Sequence, residues 1–458
     1  MVAFSAKKST FSIPVSRKAE PLPAIIRSGK EFLKLKIPAA EMKTADFIAE
    51  YPLPFPPEHT IIESEEPLFR NMTWKDGAEE SGEDSVELLR PHFHFAPRHG
   101  WLNDPNGLFY RNGEWHLFFQ HNPFSTDWGN MHWKHAVSRD LIHWEEKGIS
   151  LYPDSIGNMY SGSAVVDREN VAGFGKDAIL LFYTNAAYSG EGSQNVAYSL
   201  DGGETFRKYE KNPILPSFDG CCDRDPSVTY DPEEACWRMA LYLGDETKQE
   251  FLLLESRNLL DWSVTDRYKI ANGRECPVLR RMQDESSGSW NWLFAEANGF
   301  YRIGRISRGK ITFESESRRF LCGDAYAGQC FVNTPENETV YLAWMRMPRR
   351  FTRTYTGTMS SPMRLSLRNG LLRVEPYRLC GKCELFETSR ARSVSLPDGE
   401  LIFDPGQHRV GFQDRSWEIP ADLSTLKGRL ILDATSLEYF DDSGLFSFCL
   451  SCRTGVEL

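Results

Sequence analysis

Between about residues 90 and 375 the chain never sustains a helical period. Short apolar or aromatic runs alternate with turn signals: Leu108-Phe109-Tyr110, then Arg111-Asn112-Gly113, then Trp115 to Phe119. An Asn-Gly pair tolerates the positive φ angles of a tight reversal, so two such runs flanking it predict a hairpin. A chain that reverses this often builds sheets rather than helix bundles, and the expectation is an all-β fold.

The sheets have a period. Ser138-Arg139-Asp140-Leu141-Ile142-His143-Trp144 resembles Ser256-Arg257-Asn258-Leu259-Leu260-Asp261-Trp262, with a looser copy from Ser199 to Phe206. Successive copies lie roughly 60 residues apart, the size of a four-stranded propeller blade with its loops. The region holds about 285 residues, room for roughly five blades. A β-sandwich with coincidental Ser-x-Asp turns is the bland alternative.

The flanks differ. Residues 1–90 are punctuated by proline, as in Pro52-Leu53-Pro54-Phe55-Pro56-Pro57, and carry an acidic run from Glu79 to Glu87. Proline at that density removes backbone donors. Glu31 to Ile37 and Ala45 to Tyr51 are open between strand and short helix. The region is expected to be an extension that packs on the C-terminal strands. Residues 385–458 again show short strands, thin for an independent sandwich.

Several function classes are excluded early. Fifty-three basic against 64 acidic residues give a net charge of −11, which disfavours nucleic acid and anionic membrane surfaces as partners. No apolar run nears the roughly 18–20 residues of a spanning helix. Met1 to Glu20 lacks the apolar stretch of a secretory leader, so the protein is expected to be cytoplasmic, its ten cysteines kept as thiols. The sequons at Asn71 and Asn337 then read as chance matches. Cys380/Cys383 and Cys449/Cys452 form two C-x-x-C pairs able to close a zinc site, but the long gap between the pairs favours unrelated thiols. Eight of the ten histidines lie between His92 and His143, yet no His-Glu-x-x-His spacing accompanies them, so no metal and no cofactor is expected. Oligomeric state is left open.

Three acidic motifs stand apart along the propeller region: Trp101-Leu102-Asn103-Asp104-Pro105-Asn106-Gly107, Asp223-Arg224-Asp225-Pro226 and Arg274-Glu275-Cys276-Pro277. Singly, each has a turn or strand-end explanation. Together they matter, because a propeller gathers the inner strands of separate blades at one funnel. Glycoside cleavage needs two carboxyl groups, one at the anomeric carbon and one donating a proton to the leaving oxygen.

In these motifs and their order the sequence resembles glycoside hydrolase family 32, the invertase, inulinase and levanase family, over about residues 90–375. The resemblance implies a five-bladed β-propeller followed by a smaller β-sandwich-like domain, and a retaining β-fructofuranosidase acting on sucrose or short fructo-oligosaccharides. It implies Asp104 as nucleophile, Glu275 as acid/base and Asp225 as stabiliser of the oxocarbenium-like transition state. Asn103, Gln120, Trp128, Tyr160, Ser161 and Arg224 resemble residues around the fructose pocket, and Tyr326, Gln329 and Trp344 resemble contacts from later blades. Leu102 stands where Met is common, Tyr160 where Phe is common, Lys134 where a small residue is common and Ser227 where Lys is common. The last two are expected at the pocket rim. Arg346, Arg349, Arg350 and Arg353 form a basic run that is either a solvated loop or a phosphate contact favouring a phosphorylated disaccharide. A fructosyltransferase of the same family, a non-catalytic sugar-binding propeller and an arabinan-directed hydrolase are the competing readings.

Overall fold

The repeated Ser-x-Asp segment has a local physical cause. In the computed structural model, which describes residues 2–77, 89–218, 220–245, 247–348, 351–378 and 382–456, Ser138 Oγ accepts from the Leu141 amide at 2.8 Å and Asp140 Oδ1 accepts from Ile142 and His143. These bonds hold Leu141 at φ 67°, and Trp144 Nε1 donates back to the Leu141 carbonyl at 3.2 Å. The second copy repeats the device, with Asn258 Oδ1 accepting from Leu260 and Asp261, Leu259 at φ 66° and Trp262 Nε1 on the Leu259 carbonyl. Ser199 and Asp201 do the same for the looser copy. Each turn joins the third and fourth strands of an antiparallel sheet.

Five such sheets follow one another. Their innermost strands are Gly100–Arg111, Gly157–Asp167, Arg224–Asp231, Val278–Gln283 and Ala325–Cys330. These strands touch in a closed ring, the last returning to the first, and Tyr355–Thr356 closes it further by pairing parallel to Gly100 and Trp101. An apolar core fills each gap between neighbouring blades. Phe118, Trp133 and Leu181 lie between the first and second, Phe182 and Met239 between the second and third, and Tyr242 and Phe294 between the third and fourth. Met345 and Leu293 fill the next gap, and Phe331 and Leu117 the last. Each such side chain contributes roughly 1.5–3 kcal/mol by leaving water. The fold is the five-bladed propeller that the repeat predicts.

A two-sheet sandwich follows. Lys382–Thr388, Leu426–Asp433, Ser436–Asp441 and Ser447–Ser451 form one sheet and four strands from Arg392 to Glu418 form the other. Phe403, Phe412, Tyr439 and Phe448 are buried between them. Leu321–Gly323 leaves the propeller to pair parallel with Ser447–Cys449. Gly323 is required there: its φ is +91°, and a Cβ would meet the Cys449 carbonyl at 1.9 Å.

The N-terminal region corrects one expectation. It does not complete the C-terminal sandwich. Its strands form two sheets of their own, Val2–Ser5, Ile61–Ser64, Leu22–Ser28 and Glu31–Ile37 against Phe47–Pro52, Thr10–Val15 and Thr73–Lys75. The alternation in Glu31–Ile37 buries Leu33, Leu35 and Ile37. Their core closes on Phe124, Ile149 and Tyr152 of the first blade, which supplies the apolar surface that this short segment needs. The acidic run 79–87 lies outside the described residues. No described helix is long and apolar enough to cross a membrane.

Candidate active site

At the funnel the innermost strands lose register. The pairing skips between Leu102 and Pro105, Tyr160 and Gly162, Arg224 and Ser227, and Tyr326 and Gln329. Bulges of this kind re-aim side chains. The skipped residues are Asn103 and Asp104, Ser161, Asp225 with Pro226, and Ala327 with Gly328. Cys276 comes just before the fourth blade's inner strand. Asp225, Cys276 and Ala327 have φ of 67°, 52° and 51°. A left-handed backbone costs a non-glycine residue roughly 1 kcal/mol or more, and such strain clusters at functional sites.

The three acids converge through shared contacts. Cys276 Sγ lies 3.6 Å from Asp104 Oδ2 and 3.4 Å from Asp225 Oδ2, and the Cys276 amide donates to Asp225 Oδ2 at 3.0 Å. Arg224 lies between the other two: its Nε is 3.9 Å from Asp225 Oδ2 and 2.9 Å from Glu275 Oε2, which Nη2 also meets at 2.7 Å. The Tyr326 hydroxyl donates to Glu275 Oε1 at 2.9 Å. A cavity of about 70 Å³ lined by Arg224, Tyr242, Gln249, Gly273, Arg274 and Glu275 opens beside the acid.

The electrostatics separate the acids. Asp104 and Asp225 are buried, whereas 30% of the Glu275 side chain is exposed. Burial raises Asp104, with the Ser161 hydroxyl opposing and the charge of Glu275 adding to the rise. Burial pushes Asp225 up to about 7, helped by Glu275 and opposed by Arg224. The Cys276 thiol is raised well above its usual range by burial and by the two aspartates, so it serves as a proton donor to them. Burial, then Glu275, raises the Tyr326 hydroxyl.

Most of the expected pocket residues join this cluster. Trp101 Nε1 donates to Asn103 Oδ1, Asn103 Nδ2 to Gln120 Oε1, Gln120 Nε2 to Ser161 Oγ, and Ser161 Oγ to Asp104 Oδ2 at 2.6 Å. Trp128, 53% exposed, packs edge-on to Tyr160 at 5.8 Å. Trp344 stands 5.7 Å from Trp101 and 6.2 Å from Tyr326, and its buried Nε1 has no partner among the described residues. Gln329 does not join them: beyond the bulge it lines a channel cavity with Ser163 and Ser227. Ser227 also leaves the rim, because its Oγ accepts from the Leu279 amide and ties the third blade to the fourth. Lys134 is buried in an ion pair with Glu146 at 2.6 Å.

The basic run is divided. Arg346 sits 4.8 Å over the Tyr326 ring, Arg353 pairs with Asp46, and Arg349 and Arg350 lie outside the described residues. The histidines hold the fold: His116 meets His135, His121 meets the Trp101 carbonyl and His132 meets the Tyr51 hydroxyl. Cys383 is exposed while Cys449 and Cys452 are buried, and Cys380 lies outside the described residues. Among the described residues, the one compact set of potential metal ligands is Asp231, Glu234 and Cys236. Arg238 pairs with both of those carboxylates.

Sequence reasoning missed the support behind Asp225. The Thr184 hydroxyl accepts from the Asp225 amide and donates to Gln194 Oε1, while Gln194 Nε2 donates to the Asp223 carbonyl. No local motif marks Thr184 or Gln194. The motif alone assigns Cys276 no task, and its place between Glu275 and Pro277 is the signal that could have found it.

Comparison with known proteins follows the same residues. The family model described as "Glycosyl hydrolases family 32 N-terminal domain" matches residues 94–376. A levanase of Bacillus subtilis is 36% identical over 386 residues, covering 77% of this chain and 55% of the levanase. The chain thus spans about half the length of the curated relatives it matches. Among solved structures, exo-inulinase from Aspergillus awamori superposes with a TM-score of 0.70 at 23% identity, covering 82% of this chain and 94% of that one. A fructofuranosidase from Schwanniomyces occidentalis complexed with fructose gives 0.68 at 24% identity, with 81% and 93% covered.

Proposed function

The chain belongs to glycosyl hydrolases family 32, and from that premise we propose that it is a retaining β-fructofuranosidase that hydrolyses terminal β-fructofuranosyl bonds of sucrose or short fructo-oligosaccharides. Residues 91–375 form the catalytic unit in this reading and 385–458 its accessory sandwich. The observation that carries the proposal is the bridging of three distant acids, Asp104 to Asp225 through Cys276 and Asp225 to Glu275 through Arg224. A levanase relative and a neighbour solved with fructose support the same substrate class.

The chemistry follows from the surroundings of each acid. Asp104 Oδ2, turned into the cluster by its bulge and held by Ser161, attacks the anomeric carbon and forms a fructosyl ester. Glu275, the most exposed of the three, protonates the departing oxygen and then takes a proton from water. Asp225, fixed by the Cys276 amide, accepts hydrogen bonds from ring hydroxyls as positive charge develops on the sugar. The Trp128–Tyr160 pair gives the ring an apolar wall.

Incubation with sucrose in aqueous methanol tests this. Retention yields methyl β-fructofuranoside beside fructose. The α-anomer, or intact sucrose, would refute the mechanism or the activity. Product analysis at high sucrose separates hydrolysis, which gives free fructose, from transfer to sugar acceptors, which gives longer fructosides. A cytoplasmic location is also proposed, on the nine described cysteines being free thiols, against relatives named extracellular. Cell fractionation decides it.

A further inference from the structure

The fourth blade's inner strand, Val278–Gln283, runs from the funnel down the propeller channel. Arg280 is the third residue of this strand, ~7 Å along it from Val278 at ~3.3 Å per residue, and so lies beyond the Glu275-Cys276-Pro277 motif that precedes the strand. There it lines a cavity of about 340 Å³ between blades, walled by Val166, Val228, Tyr230, Trp237 and Trp290. A smaller space of about 20 Å³ lies on its channel side, beside Ser163, Ser227, Gln329 and Cys330. Neither space is lined by a carboxylate among the described residues.

Arg280 itself is the anomaly. Among the described residues its Nε is buried without a hydrogen-bond partner, and burial lowers its affinity for the proton it carries. Its neighbour shows the ordinary solution: Arg281 pairs with Glu233 and covers a face of the Trp290 ring at 4.1 Å. Arg280 is half-buried, and a guanidinium whose buried Nε meets no acceptor is costly unless an anion answers it; its planar fork suits phosphate and carboxylate alike. The aromatic walls add a second requirement. Trp290 and Tyr230 remain 46% and 45% exposed, flat surfaces of the sort that receive the C–H face of a ring.

We propose that this cavity is a second ligand site, separate from the acid cluster, which binds a sugar carrying an oxyanion, with the anion on Arg280 and the ring against Trp290 and Tyr230. The site does not depend on the hydrolase reading, because it shares no residue with the three acids.

Calorimetric titration of the full chain with glucose 6-phosphate, glucuronate, inorganic phosphate and glucose tests it. One of the two anionic sugars is expected to saturate a single site, and which one does so identifies the anion. Arg280→Gln should weaken that sugar about tenfold or more, and Arg280→Lys, which keeps charge but loses the fork, should weaken it less. Trp290→Ala should weaken the anionic sugar and leave inorganic phosphate unchanged. Sucrose hydrolysis by Arg280→Gln should match the wild type. Absence of saturable binding by both anionic sugars, or unaltered affinity in Arg280→Gln, overturns the proposal. If Arg280→Gln fails to fold, unaltered sugar affinity in Trp290→Ala overturns it instead.

Discussion

Ser161 donates its hydroxyl proton to Asp104 Oδ2 at 2.6 Å. It has no freedom to point elsewhere, because Gln120 Nε2 occupies its acceptor side at 2.7 Å. The bond favours the ionised aspartate against a burial that raises it. Ser161→Ala removes that help, so Asp104 should hold its proton to higher pH. The acid limb of kcat/KM should move upward, and kcat/KM near about pH 5 should fall about 10- to 100-fold, the worth of one hydrogen bond to a charge. An unshifted acid limb would show that the serine does not tune the nucleophile.

Glu275→Gln tests the proton donor. Glutamine keeps the size of the side chain and an oxygen for Arg224 or Tyr326, but it has no proton to give. Sucrose turnover should fall about 10²- to 10⁴-fold. An aryl fructoside whose leaving group needs no proton should still release its phenol in a rapid first turnover. Equal losses on both substrates, measured by stopped flow, would remove Glu275 from the acid role.

The cysteines give a test that needs no substitution. Cys276 is buried, its thiol raised far from the reactive thiolate, whereas Cys383 is exposed. Iodoacetamide acts on thiolates that it can reach. In the native protein, peptide mass spectrometry should find Cys383 alkylated and Cys276 unmodified, with Cys276 modified only after unfolding. Native modification of Cys276 would contradict its place between the two aspartates.

The features legible in the sequence are those with local causes. The blade repeat is readable because Ser138, Asp140 and Leu141 make their turn with their own neighbours, as do Ser256, Asn258 and Leu259. Asp104 and Asp225 are readable because the turn residues beside them also form their bulges, and Glu275 because its motif sits just before the fourth blade's inner strand. Residues 1–90 misled because their folding is not local. Phe11 and Tyr51 complete a core only with Phe124 from the first blade, and no pattern within the segment announces that partner. Thr184 behind Asp225 and Arg280 in its cavity are likewise defined by blades that meet only in space.

His94 makes the fold itself sensitive to pH. It precedes the first blade, yet its Nδ1 meets Asp433 at 2.8 Å and its Nε2 meets Glu438 at 3.1 Å, both on strands of the C-terminal sandwich. Burial pulls the ring down, but Glu438 and Asp433 outweigh it and hold His94 at about 9. The folded value lies above the roughly 6.5 of an unfolded chain. The stabilisation is therefore complete below about pH 6.5 and is lost as pH rises through about 9. The shift corresponds to about 3 kcal/mol. Denaturant unfolding at pH values below 6.5 and above 9 should record a loss of about that size in the wild type. His94→Gln should be less stable at the lower pH by a similar amount, since it leaves buried carboxylates without their cation, and its stability should change less between the two pH values. A wild type and variant that lose stability in parallel across this range would show that the histidine does not clamp the sandwich to the propeller.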